Sequence, residues 1–363
     1  MRRRLLIIAA AALALLAPAV GAQDRAFDPE PLLSQAISGV QQRAFRADKV
    51  DWPALEARVR AMAAGARDEL DLLPAYAVLL NGLGDSHSFV QVPRERQTAF
   101  FARYGRTFDA VAGLSRGGSI PPSSFAGRQT REARSLPLAN GAEALLMVVP
   151  SFSGYPPEAQ AFADGLFQTL ADGARTACGY VIDLRGNGGG NMWPMVTGLS
   201  PLLGNGMALG KQDSSGPPYV YANLRDGAAV IAQGGGAPNR LQAVQGWRDL
   251  RLTGAPVAIL QDGGVASSGE AVLAAFIGRP ATRTFGERSF GLASTNAGYR
   301  LADGANLVIT VGMMTDREGR TYPAGFTPDE PIPAGPGLAA DPDDAVVEAA
   351  KLWLVRQPAC RKG

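Results

Sequence analysis

The chain has 363 residues, with 35 lysines and arginines against 33 aspartates and glutamates and a formal net charge of +2. Acidic and basic residues are mixed along its length, so the clustered basic footprint of a nucleic-acid binder is missing and nucleic acid is not an expected partner. With one histidine and two distant cysteines, Cys178 and Cys360, the sequence lacks the ligand spacing of a zinc site, and no metal or other cofactor is expected.

The first residues, MRRRLLIIAAAALALLAPAVGAQ, set three arginines before an apolar run and end in the small residues Val20, Gly21 and Ala22. This is the pattern of a secretory signal peptide, residues 1–22, cut after Ala22. The apolar run is short for a bilayer, and no later stretch reaches the length of a membrane helix. The expected location is therefore periplasmic or secreted, without stable membrane insertion; an uncleaved N-terminal anchor is the alternative. In an oxidising compartment Cys178 and Cys360 are either a disulfide or two free thiols.

Residues 23–88 read as a helical domain of three helices, with Leu32, Leu33, Ile37 and Val40 in the first and Leu55, Val59 and Met62 in the second. Asp51 before Trp52 and Pro53 has the chemistry of a helix start. Residues 89–140 mix aromatics, glycine and proline with short alternations such as Thr107 to Ala112, and read as a small β-rich connector. From 141 to 335 the order is strand, glycine turn, helix, repeated, which is the grammar of an α/β core. Its strands include Ala144 to Val149, Gly179 to Leu184, Pro256 to Leu260, Thr282 to Phe285 and Asn306 to Val311, with an irregular excursion carrying short strands over Gly204 to Leu250. Residues 336–363 form a last helix and tail.

Three stretches carry chemistry. In VAILQDGGVASSGEAVLAAF an apolar strand meets a tight turn and a helix begins at about Ser268, so Ser267 sits where unpaired amides and the helix dipole face a developing oxyanion. Ser267 and Glu270 also spell a capping box, in which the serine is purely structural. In DLRGNGGG, Gly188, Gly189 and Gly190 let backbone amides approach an oxyanion, although a plain tight turn has the same composition. In LGDSHSF, His87 stands in a polar turn beside Asp85, Ser86 and Ser88. Imidazole is the side chain best suited to take a proton from a serine near neutral pH.

LGDSHSF, then VIDLRGNGGG, then SSGEAV, GRPATRTFGERSFGLAS and TYPAGFTPDEPIP, in that order, resemble the tail-specific (C-terminal processing) proteases, peptidase family S41. The likeness runs from about residue 30 to 335. It implies a ClpP/crotonase-like core for 141–335 and Ser267 as nucleophile. The processing-protease branch has a catalytic lysine after the F-G of this block, where this chain has Leu292, so a serine–lysine dyad is excluded. What remains is similar to the tricorn-like branch, in which a Ser-His pair, here Ser86 and His87, activates the downstream serine; nisin-resistance-type proteases are similarly Ser-His enzymes. The glutamate that orients the histidine in the tricorn-like branch is absent, since Tyr322 and Pro323 occupy its neighbourhood; Asp85, Glu270 and Glu287 are the candidates, with Glu270 better suited to cap the nucleophile turn than to contact His87, and a dyad with no carboxylate is the alternative. Residues 89–141 are too short for the PDZ domain that many relatives carry.

The resemblance implies an exported serine peptidase acting on peptides or unfolded protein segments through an acyl-enzyme, with no cofactor. His87 is the base, and amides of Gly188, Gly189, Gly190 and Ser268 serve the oxyanion. A non-catalytic protein binding peptides or apolar ligands on the same fold is the alternative.

Overall fold

The computed structural model describes residues 27–114, 131–231, 238–333 and 344–361. The signal peptide read from residues 1–22 lies outside the described residues.

The chain opens with α1 (Glu30–Arg43), α2 (Trp52–Met62) and α3 (Leu73–Asn81). The Asp51 carboxylate accepts the Ala54 N–H at 3.2 Å, and Pro53 lies in the first turn of α2, as the sequence suggested. After the histidine turn come β1 (Phe89–Gln91), α4 (Arg94–Tyr104) and α5 (Phe108–Val111). The expected β-rich connector is thus largely helical among its described residues. RERQTAFFARY consists mostly of good helix formers, it buries Phe100, and Thr107 caps α5 through the Ala110 N–H instead of starting a strand.

The core proper runs through β2 (Ala133–Pro137), β3 (Glu143–Val148), α6 (Glu158–Gly173), β4 (Tyr180–Asp183), α7 (Met192–Gly198) and α8 (Ser200–Leu203). Strands β5 (Gly206–Gln212), β6 (Tyr219–Arg225), β7 (Ala228–Ile231) and β8 (Asn239–Ala243) follow, then β9 (Val257–Gln261), α9 (Ser268–Phe276), β10 (Thr282–Gly286), β11 (Ser294–Arg300), β12 (Asn306–Thr315), β13 (Glu330–Pro331) and α10 (Ala345–Leu354). The stretch Gly204 to Leu250 carries the expected short strands, and they are ordered as an antiparallel meander of four.

A six-stranded sheet has the order β13-β10-β9-β4-β3-β2, parallel except for β2 at its edge. YVID and VAILQ are buried along their whole length because both faces are covered, which is why they read as continuous apolar runs. One face packs Tyr180, Ile182 and Ile259 against Phe162, Met195 and Phe276 of α6, α7 and α9. The other packs Val181, Ala258 and Leu260 against Val346, Val347 and Leu354 of α10. Cys178 and Cys360 are joined, with an S–S distance of 2.02 Å, tying the residues after α10 to the start of β4. Among the described residues no helix is long and apolar enough to cross a membrane.

A second, antiparallel sheet has the order β1-β12-β5-β6-β7-β8, with β11 on the other side of β12. The β11–β12 hairpin belongs to the core by sequence, yet Leu301, Leu307 and Ile309 bury themselves among Leu33, Val40 and Leu79 of the N-terminal helices. At Gly39 on α1 any Cβ would collide with the Tyr299 ring, so glycine lets the helix lie directly on β11. This packing fixes where the turn after α3 ends up.

Candidate active site

Strand β9 ends in a turn that delivers Ser267 to the head of α9. Ser267 has φ 50° and ψ −115°, a positive-φ conformation that costs a non-glycine residue on the order of 1–3 kcal/mol and persists only where the surroundings enforce it. The enforcement is visible. Asp262 accepts the N–H of Gly264 at 3.0 Å and of Gly186 at 2.9 Å, and Ala266 donates to the Asn187 carbonyl at 3.0 Å. Glu270, fully buried, accepts the N–H groups of Ser267 (3.1 Å), Gly291 (2.8 Å) and Leu292 (2.7 Å) and the hydroxyl of Ser289 (2.7 Å). Burial pushes its carboxyl above the usual range and these four donors pull it back. Because the Ser289 oxygen also accepts the Phe326 N–H, its proton is directed at Glu270, an arrangement that suits a carboxylate accepting on both oxygens. Glu270 therefore supports the turn.

The glycine loop lies against that turn. A Cβ at Gly189 (φ 107°) would sit 2.8 Å from the Ser267 Cβ and 3.0 Å from the Ala266 carbonyl, and one at Gly190 would strike the Phe152 carbonyl. Only glycine permits this approach. The loop's amides divide into two groups. Gly188 donates to Ser151 Oγ, beyond β3, at 2.8 Å and Gly189 to Asn187 Oδ1 in the loop itself at 3.0 Å, so both are engaged. The N–H groups of Gly190 and Ser268 have no acceptor among the described residues, and the Ser268 hydroxyl fastens the two segments by donating to the Gly190 carbonyl at 2.7 Å.

His87 arrives from the opposite side. Asp85 builds its turn, accepting the N–H of His87 at 3.0 Å and of Ser88 at 2.8 Å on one oxygen and the Ser88 hydroxyl at 2.7 Å on the other. Two side chains of β11 receive it: His87 Nδ1 lies 2.6 Å from Ser294 Oγ, and Asn296 donates to the His87 carbonyl at 3.1 Å. Thr310 of β12 donates its N–H to Ser88 Oγ at 2.9 Å. Burial lowers the pKa of His87 below its ordinary 6.5, with the Asp85 charge opposing.

The structure thus brings His87, Glu270 and Ser267 into one connected region. Leu292 donates to Glu270, and Ser294, two residues on, meets the imidazole. Among the described residues no hydrogen bond joins the imidazole to the Ser267 hydroxyl. Ser86 is exposed at φ 57°, and among the described residues no hydrogen bond joins its hydroxyl to the imidazole. Of the candidates for orienting the imidazole, Asp85 accepts from His87 and Ser88 within its own turn, and Glu270 supports the nucleophile turn, the role the sequence favoured for it; among the described residues neither of them nor Glu287 makes a hydrogen bond to the ring. The group on Nδ1 is a hydroxyl, Ser294, which sequence reasoning missed; it stands two residues past the position singled out for its missing lysine.

Core, strained turn and glycine loop have the architecture of an α/β serine-type peptidase. Residues 145–332 match the model of peptidase family S41, and the chain belongs to that family. It is 24% identical over 294 residues to the nisin-resistance protein of Lactococcus lactis subsp. lactis, covering 81% of this chain and 80% of that protein. Over 155 residues, 42% of this chain and 26% of the other, it is 27% identical to the chloroplastic carboxyl-terminal-processing peptidase 2 of Arabidopsis thaliana. Among solved structures, a lipoprotein from Streptococcus agalactiae superposes with a TM-score of 0.64 at 20% identity, covering 90% of this chain and 96% of the other. The photosystem II D1 C-terminal processing protease superposes with a TM-score of 0.54 at 16% identity, covering 85% and 94%. These likenesses establish a shared fold.

Proposed function

We propose that this serine-type peptidase is exported and cleaves peptides or unfolded protein segments through an acyl-enzyme, with Ser267 as nucleophile and His87 as its base. One observation carries the reading. The imidazole of the chain's only histidine is bound on β11, at the end of the segment whose Gly291 and Leu292 hold Glu270 and, through it, Ser267. With Nδ1 engaged, Nε2 is the nitrogen that takes the Ser267 proton as Oγ attacks the peptide carbonyl. His87 then gives that proton to the leaving amine, and water, deprotonated by the same nitrogen, hydrolyses the ester. The lowered pKa keeps the imidazole neutral, as a base must be. Because the Gly188 and Gly189 amides are engaged elsewhere, the oxyanion falls to the N–H groups of Ser268, at the positive end of α9, and Gly190.

Export is supported by the signal-peptide pattern of residues 1–22 and by the description of the streptococcal neighbour as a lipoprotein. A second reading, a peptide-binding protein without turnover, is favoured by Leu292 at the lysine position and by the lack of an imidazole–Ser267 hydrogen bond. A fluorophosphonate probe separates the two. Under the peptidase reading the protein labels, and Ser267→Ala and His87→Ala each lower labelling and turnover by at least about 10³-fold. Intact protein that binds peptide and never labels would establish the binder.

A further inference from the structure

Among the described residues the imidazole of His87 makes one hydrogen bond, between Nδ1 and Ser294 Oγ at 2.6 Å, and it spans 207 residues of sequence. It admits two proton placements. If Ser294 donates to Nδ1, the proton of the neutral imidazole sits on Nε2 and the base is disarmed. If Nδ1–H donates to Ser294, the Nε2 lone pair is free.

We propose that Ser294 accepts the Nδ1–H of His87 and is the positioning residue that fixes its tautomer and orientation, a role given elsewhere to a carboxylate. The inference rests on the peptidase reading. Three features support it. Ser294 is buried at the start of β11 and paired with Met313 of β12, so its hydroxyl is presented by a rigid strand. The neighbouring ladder breaks register between Thr295 and Asn296, opposite the extra residue Val311, the kind of bulge that re-aims side chains beside a site. The acceptor role also needs no rearrangement on catalysis. Once His87 has taken the Ser267 proton both ring nitrogens carry hydrogen, and Ser294 can only accept from Nδ1; an oxygen already accepting there is organised in advance for the imidazolium. A hydroxyl in place of a carboxylate leaves the imidazolium less stabilised, consistent with a base of lowered rather than raised pKa.

Because His87 is the only histidine, the full chain purified with a histidine-free tag and labelled with 15N-histidine yields a single imidazole spectrum. At pH 8 the inference expects Nδ1 as the protonated, pyrrole-type nitrogen and Nε2 as the pyridine-type one. Ser294→Ala should populate the opposite tautomer, while Ser294→Thr, which keeps the hydroxyl, should restore the original spectrum. In parallel, Ser294→Ala should lower the fluorophosphonate labelling rate by about 10- to 100-fold, short of the full contribution of a positioned base, with Ser294→Thr within a few-fold of the parent. A pyrrole-type Nε2 in the parent, or the same tautomer in Ser294→Ala, overturns the inference while leaving Ser267 labelling to be judged by itself. A tautomer that follows Ser294 in a protein that never labels retains the positioning contact and removes the peptidase reading.

Discussion

The two sides of the site are held by different physics. The serine side is a set of turns packed against one another: strand β9, its turn, the head of α9 and the glycine loop after β4 are pinned by Asp262, Asn187 and Glu270 through hydrogen bonds among buried and half-buried groups. The histidine side is assembled at a distance. The turn between α3 and β1 reaches its place because α1–α3 and the β11–β12 hairpin share a hydrophobic cluster and β1 pairs with β12, and its last contacts run from the His87 ring to Ser294, from Asn296 to the His87 carbonyl and from the Thr310 N–H to Ser88. The nucleophile is therefore held by a network of buried acceptors around its turn, whereas the base depends on a few contacts between the helical layer and β11–β12.

The comparison breaks most sharply at Glu270. Glu270→Ala leaves three amides and a hydroxyl without their buried acceptor, and we expect a loss of about 3–5 kcal/mol in urea unfolding together with loss of Ser267 labelling. On the histidine side the corresponding change is milder. Asn296→Ala removes one hydrogen bond to the His87 carbonyl, and should lower kcat/KM by roughly fivefold, the equivalent of about 1 kcal/mol, with denaturant midpoint nearly unchanged. A large fall in stability from Asn296→Ala would erase the distinction between the sides. The finest test is pH. Since burial lowers the His87 pKa, the acid limb of kcat/KM should fall below 6.5. The unfolded chain binds that proton more readily than the folded one, so the contribution of His87 to stability is present above pH 6.5 and is lost as pH falls through the folded value. An acid limb above 6.5 would mean that a carboxylate, not a hydroxyl, governs the imidazole.

Legibility follows the same division. The local geometry of VIDLRGNGGG and SSGEAV could be read because it is encoded within a few residues: glycines that allow close approach, a serine at a helix head and a glutamate three residues on. YVID and VAILQ announced a doubly covered sheet by their unbroken apolarity. Ser294 could not be read, because what makes it special is a partner 207 residues away and a strand, β11, whose STNAGYR carries no strong strand pattern. The connector differs from its expectation for another reason: the aromatics and glycines of 89–140 as a whole suggest strands, whereas RERQTAFFARY alone consists mostly of helix formers and folds as α4.

The Cys178–Cys360 bond closes a covalent loop that contains Ser267, Glu270, Ser294 and the glycine residues, and leaves His87 outside. A single backbone nick anywhere from 179 to 359 therefore yields two fragments that stay one molecule until they are reduced. A nick between 88 and 133 instead frees the histidine-bearing piece from everything but noncovalent packing. In a protease-rich environment the half that carries the nucleophile tolerates damage, and the half that carries the base is the one that can be shed.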